Sequence, residues 1–161
     1  MPQYRQATPD DLPGICALGE EVNRLHCDAW PRLFAKEIAA ESQRQVWSES
    51  LCGENAAVFV AVEGQSLVGF VTIAVVDEAS PFFRAMRYAK VGSICVTEML
   101  RGQGIGRRLM EEAEIWARVR NAVEVHLNVW SFNERARALY EELGYEIRSH
   151  YMGKGLSKPE A

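Results

Sequence analysis

Hydrophobic positions change their period several times along the chain, and each change predicts an element. Residues 4–7 read as a short first strand. Thr8, Pro9, Asp10 and Asp11 then form a helix start, with a hydroxyl N-cap, proline at the first helical position and acids in the first turn. Leu12, Ile15, Leu18, Val22 and Leu25 recur at helical spacing, so this helix is expected to run to about His26, with Pro31 marking a boundary. A second helix is expected over residues 33–51, ending near Gly53. Residues 57–63 and 67–76 follow as β-branched runs joined by a Gly64-Gln65 turn, the second apolar on both faces as in a central strand. Residues 77–87 read as a loop containing Pro81, and residues 89–96 as the next strand. A glycine-rich turn over residues 101–106 leads into a helix with an apolar stripe of Ile105, Leu109, Ala113, Trp116 and Ala117. Residues 123–129 predict a strand, residues 133–143 a helix stopped by Gly144, and the chain after it a short final strand. This order implies an α/β (α+β) fold. Its sheet is mixed but mostly antiparallel and flanked by helices, with one crossover between the strand ending at Val96 and the strand starting at Val123.

Composition narrows the class without changing the pattern. The chain has 161 residues, 48% hydrophobic and 25% charged, which is one domain with enough apolar content for a sizeable core. No apolar run reaches the ~18–20 residues that cross a bilayer, and the opening residues lack a basic segment followed by an apolar one. A cytoplasmic protein with no membrane partner is expected. Cys16, Cys27, Cys52 and Cys95 show no paired spacing, so they suggest neither a metal site nor a disulfide framework. A net charge of −4 disfavours nonspecific nucleic-acid binding.

The stretch Arg101, Gly102, Gln103, Gly104, Ile105, Gly106, Arg107 and Arg108 carries most of the chemistry. It sits where a strand hands over to a helix, whose first amides have no internal partner and carry partial positive charge. Glycines let that backbone approach an anion, and the arginines add charge, so a phosphate or diphosphate is the expected occupant. A tight turn packed for structural reasons alone is the plain alternative. A P-loop does not fit, because no Gly-Lys-Ser/Thr follows. The dinucleotide fingerprint Gly-x-Gly-x-x-Gly is nearer, with Glu124 as a candidate ribose acid, yet Arg107 stands where its third glycine belongs and only one βαβ unit is visible.

This turn resembles the acyl-CoA diphosphate loop of the GCN5-related N-acetyltransferase (GNAT) superfamily, Arg/Gln-x-x-Gly-x-Gly/Ala, with Arg101, Gly104 and Gly106 at its fixed positions. Asn128, Asn133, Ala136, Leu139, Tyr140, Gly144 and Tyr145 resemble its second signature, a strand, an Asn and a Tyr-bearing helix ending in Gly-aromatic. The resemblance covers nearly the whole chain and implies one N-acetyltransferase domain over residues 1–161. It implies that the strands ending at Val96 and starting at Val123 splay apart to admit the pantetheine arm of acetyl-CoA, with main-chain groups around Val96 pairing with it. Amides of Arg101, Gly102, Gln103, Gly104, Ile105, Gly106 and Arg107 would hold the diphosphate, and Asn133 would contact the same cosubstrate while capping its helix. Tyr140 would act as the acid that assists thiolate departure.

Other roles stay open. The strand before the turn offers Tyr88, Lys90 and Ser93 but no carboxylate, so the general base is Glu98, His126 or ordered water. The first two helices and their connection, with Glu20, Glu21, His26, Asp28, Trp30, Pro31 and Phe34, are expected to wall the acceptor. Acids beside aromatics suit a cationic amine, of a small molecule or a peptide, as well as they suit a solvated helix face. The expected activity is acetyl transfer from acetyl-CoA by direct attack in a ternary complex, in a chain able to form a homodimer. The alternatives are a non-catalytic acyl-CoA-binding regulatory module and an oxidoreductase using a nicotinamide nucleotide.

Overall fold

The computed structural model describes residues 1–156. The single-domain expectation also takes in residues 157–161, which lie outside that range. Two β-branched runs form the central hairpin, β2 (Ala56–Glu63) and β3 (Ser66–Asp77), closed by a two-residue loop whose first member, Gly64, has φ 63°. With β1 (Gln3–Gln6), β4 (Arg87–Val96) and β5 (Val125–His126) they make one sheet in the order β1-β2-β3-β4-β5. Every neighbouring pair is antiparallel except β4 with β5, which is parallel. The crossover between these two is α3 (Ile105–Val119), as the element order predicts.

Helices cover both faces. Alternation along β2 sends Val58 and Val60 to one side, where they meet Ile15, Leu18, Phe70 and Cys95 under α1 (Leu12–Ala29) and α2 (Ala40–Cys52). Ala57, Phe59 and Ala61 go to the other side, against Leu109, Met110, Ala113 and Trp116 of α3 and Tyr140 of α4 (Glu134–Glu142). Each of the fully buried Ile, Leu and Phe side chains contributes roughly 1.5–3 kcal/mol. No helix among the described residues is long and apolar enough to cross a membrane.

Three boundaries differ from the sequence pattern. The start at Pro9 opens as a 3-10 turn, Pro9–Asp11, before α1 begins. There the Thr8 amide donates to Asp11 Oδ2 at 2.7 Å, and Arg5 grips the same carboxylate at 2.7 and 2.8 Å. The second helix begins only at Ala40, because the chain before it is drawn into tertiary contacts: Phe34 packs on His26 and Trp130, both at 4.9 Å between ring centres, and Asn23 donates to the Ala35 carbonyl. The strand expected over residues 123–129 is regular only at Val125–His126, and no strand follows α4 among the described residues.

The shortness of β5 has a cause in β4. Val71 pairs with Ile94 and Ile73 with Val91, so Gly92 and Ser93 together oppose the single residue Thr72. This bulge is held by the Thr72 hydroxyl, which is buried and accepts the Ser93 amide at 2.9 Å. A Cβ on Gly92 would sit 2.8 Å from that oxygen, so the approach requires glycine. The last parallel rung is Lys90 with His126, directly before the bulge, and beyond it the two strands part. The sheet therefore carries the predicted splay.

Candidate active site

Strand geometry decides what the splay exposes. The Thr97 amide bonds to the Val68 carbonyl at 2.9 Å, which makes Val96 and Gly69 a pair without mutual hydrogen bonds. The N–H and C=O of Val96 therefore point away from β3, into the splay, and by the same alternation so do those of Ile94. Ile94 is a site residue that the sequence did not single out. The Val96 carbonyl is not free, since Arg101 Nε donates to it at 2.8 Å.

At the end of the splay a 3-10 turn, Glu98–Leu100, runs into the glycines. Gly102 and Gly104 have φ 81° and 83°, a left-handed backbone that glycine adopts without strain. Arg108 is the first residue whose amide closes a helical bond, to the Gly104 carbonyl at 3.0 Å. Among the described residues the amides of 102–107 have no backbone acceptor, so six donors stand at the N-terminal end of α3. An added Cβ at Gly104 would meet no protein atom within 4 Å, so the space above that glycine is open. At Gly106 it would lie 3.3 Å from Leu139, where α3, α4 and the end of β4 meet.

The arginines are arranged differently from the expected ring of bare cations. Arg101 turns back to Val96 and lies 3.8 Å from Glu21. Arg107 pairs with Glu142, and Arg108 reaches Glu111 at 3.2 Å and Glu112 at 2.6 Å. Carboxylates thus hold the three side chains that the sequence placed around the anion. The cation that does face the glycines is Arg135 of α4, whose Nη2 lies 2.7 Å from where a Cβ of Gly102 would stand and which makes no ion pair among the described residues. A separation of 33 positions hid it from any local motif.

Asn133 caps α4: its Oδ1 accepts the Ala136 amide at 3.2 Å, leaving the side-chain NH2 available. At the other end Gly144, with φ 91°, stops the helix, and the Tyr145 amide bonds to the Tyr140 carbonyl at 2.9 Å. Two tyrosines of this region differ in kind. The Tyr145 hydroxyl donates to Glu114 at 3.0 Å, an ordinary satisfied core phenol. Tyr140 is 6% exposed, and its hydroxyl has no hydrogen-bond partner among the described residues yet keeps contact with solvent. Burial pushes the Tyr140 phenol up to about 12, so it holds its proton at neutral pH.

Candidate bases and acceptor-wall residues separate clearly. Glu98 is exposed in the turn before the glycines, its carbonyl accepting the Arg101 amide. His126 is stacked on Tyr88, with ring centres 4.3 Å apart, and its Nε2 lies 2.8 Å from Glu124 Oε2. Arg148 bonds the same carboxylate at 2.6 Å, and these two partners hold Glu124 down at about 2. On the acceptor side, His26 Nδ1 is 2.7 Å from the Val22 carbonyl, and its ring meets Phe34, Trp130 and Phe132. Glu20, Asp28 and Trp30 are exposed outside that cluster, and Glu21 faces Arg101. Trp130 and Phe132, which fall between the expected strand over residues 123–129 and the expected helix over residues 133–143, are thus part of the wall.

A splayed sheet with amide donors at its end and a buried unpaired phenol defines the class, and comparison with known proteins names it. The acetyltransferase (GNAT) family model matches residues 19–145, and the chain belongs to that family. The chain is similar to the N-alpha-acetyltransferase RimI of Mycobacterium tuberculosis, at 32% identity over 120 residues, covering 74% of this chain. It spans 63% of that protein's length and 24% of a second curated relative's. Its fold superposes on a mutant BH1408 protein of Bacillus halodurans with a TM-score of 0.89 at 24% identity, covering 96% of this chain and 99% of the other. It superposes as well on a predicted acetyltransferase of Clostridium acetobutylicum solved with acetyl-CoA, with a TM-score of 0.76 at 15% identity and 96% of each chain covered.

Proposed function

We propose that the protein is an acetyl-CoA-dependent N-acetyltransferase acting on a primary amine, carried in one domain and working in the cytoplasm. The observation that carries this reading is the row of unpartnered amides at residues 102–107, standing at the open end of the splay. Six convergent donors with positive partial charge suit a diphosphate, and Arg135 supplies the nearby cation. Main-chain groups of Ile94 and Val96 suit the amide-bearing arm, which would lie along β4 as a missing strand. The Asn133 NH2 suits a further polar contact. Tyr140, whose phenol keeps its proton at neutral pH, would supply the proton that a departing thiolate needs. Family membership and the names of its relatives support acetyl as the group transferred.

The amine attacks the thioester carbonyl directly, in a ternary complex. A lysine-type amine, with a pKa of about 10.4, is mostly protonated at neutral pH and must lose a proton first. The aromatic wall of Phe34, Trp130, Phe132 and His26 supports an acceptor with a cationic head, from a small molecule or a peptide terminus. Exposed Phe82, Phe83 and Met152 support a homodimer, which sedimentation at micromolar concentration checks.

Calorimetric titration tests the cosubstrate. Acetyl-CoA is expected to bind saturably, and Gly104→Asp to abolish that binding. An added Cβ there meets no protein atom within 4 Å, but φ 83° strains any L side chain, so the loss is read against Gly104→Ala, which carries the same strain without the charge. Retained binding in Gly104→Asp would remove the glycine turn from the site. A panel of peptides, polyamines and aminoglycosides is expected to release free thiol from acetyl-CoA with at least one member. Binding without release from any of them would favour the regulatory-module reading.

A further inference from the structure

We propose that His126, held by Glu124 and backed by the Tyr88 ring, is the general base that takes the proton from the acceptor amine. This rests on the acyl-transfer reading above and deepens it. Three observations lead there. First, His126 forms the last rung with Lys90 before the strands part, so it stands at the closed end of the splay. Second, Val125 and Leu127 pack in the core under α3 and α4 with Tyr140, so alternation sends the His126 side chain to the opposite face, that of α1 and α2. A thioester laid in the splay with its sulfur toward Tyr140 leaves that opposite face for the incoming nucleophile. Acid and base then flank the reacting carbon from the two sides of the sheet. Third, the tautomer is fixed. Nε2 lies 2.8 Å from a carboxylate oxygen that has no proton to give, so Nε2 carries the hydrogen and the neutral ring keeps its lone pair on Nδ1.

The steps balance as follows. The substrate ammonium gives one proton to His126 Nδ1, which passes it to solvent. The freed lone pair forms the C–N bond while the carbonyl π pair moves onto oxygen. On collapse the C–S bond breaks, and sulfur keeps the pair and takes the Tyr140 phenolic proton. The proton lost from the acylated nitrogen restores the phenol. Glu124 touches no reacting atom in this scheme. It is a positioning residue that orients the imidazole.

Groups facing the imidazole are Tyr88 and Lys90 from β4, Glu124 on its own strand, and Arg148 beyond α4, which also bonds Glu146. Arg148 lies 3.5 Å from Nε2. Only an unprotonated ring accepts a proton, so the rate should rise with pH. With the amine that turns over fastest, His126→Gln is expected to lower kcat by ~10²–10⁴-fold and erase that rise, leaving acetyl-CoA affinity within about threefold. Glu124→Gln is expected to lower kcat while leaving acetyl-CoA affinity within about threefold, and to lose the single Nε2–H tautomer. Imidazole added to His126→Ala should restore part of the rate. Ring ¹H–¹⁵N correlations of the unmutated protein should show the Nε2–H tautomer. Unchanged kcat and pH profile in His126→Gln, or an Nδ1–H ring, overturns the proposal while leaving acyl transfer standing. No saturable acetyl-CoA binding by the unmutated protein overturns acyl transfer, and the base with it.

Discussion

At the scale of single residues, the two neighbouring tyrosines are divided by one hydrogen bond. Tyr145 has a partner in Glu114 and Tyr140 has none among the described residues, although the rings lie 5.9 Å apart. Tyr140→Phe removes an oxygen without opening a cavity, so the fold should be indifferent to it. We expect kcat to fall ~10²-fold or more with acetyl-CoA affinity within about threefold, measured by thiol release and calorimetry. Equal loss of rate and affinity would return Tyr140 to a packing role. Arg135 makes the opposite kind of prediction. Its guanidinium faces the glycines and no carboxylate among the described residues holds it, so Arg135→Gln should weaken acetyl-CoA binding several-fold and leave kcat at saturation unchanged. The same truncation of Arg108, already paired with Glu111 and Glu112, should leave acetyl-CoA binding unaltered.

At the scale of elements, the β4 bulge aims the site. It turns the Ile94 and Val96 main-chain groups into the splay, and one side-chain hydroxyl maintains it. Thr72→Val keeps the shape but strips the Ser93 amide of its acceptor, a cost of about 1–3 kcal/mol. Urea unfolding should show the lowered midpoint, and calorimetry a weaker grip on acetyl-CoA. A variant with the unmutated midpoint and affinity would show that the hydroxyl does not hold the bulge. The same bulge explains what the sequence could and could not reveal. Elements set by local chemistry were legible: the central hairpin, the buried stripe of α3, the Asn133 cap and the Gly144 stop all depend on neighbours a few positions away. Residues 127–129 carry strand alternation, yet a strand needs a partner, and β4 has bent away by then. Residues 33–39 carry helical spacing, but Phe34 is claimed by Trp130 almost a hundred positions on. The glycine turn was readable because its chemistry is contiguous. Arg135 facing Gly102 and Glu124 orienting His126 arise only from the folded arrangement.

At the scale of the whole molecule, titration ties the core and the site to stability, and the sign differs at the two ends of the pH range. The carboxylates of Asp11, gripped by Arg5, and Glu124, gripped by Arg148 and His126, have folded values below their unfolded ones. Their contribution is complete above the unfolded carboxylate range and is lost as pH falls through the folded values, so acid should destabilise below about pH 4.5. Cys95 and Tyr140 act in reverse. Burial lifts Cys95 from 9.0 to about 11 and Tyr140 from 10.0 to about 12. Between those limits the folded chain holds protons that the unfolded chain has released, so stability falls as pH rises from about 9. Each shift of about two units corresponds to roughly 2–3 kcal/mol once titration is complete. Chemical denaturation from pH 7 to 11 should therefore show a decline that begins near pH 9, with Cys95, and steepens above pH 10 as Tyr140 and Tyr145 join. Cys95→Ala, compared with its own value at pH 7, should make the decline between pH 9 and 10 shallower, leaving the smaller part that Cys16, also raised by burial, contributes. A slope unmoved by that substitution would mean that the thiol in the core beneath α1 is not what limits the fold in alkali.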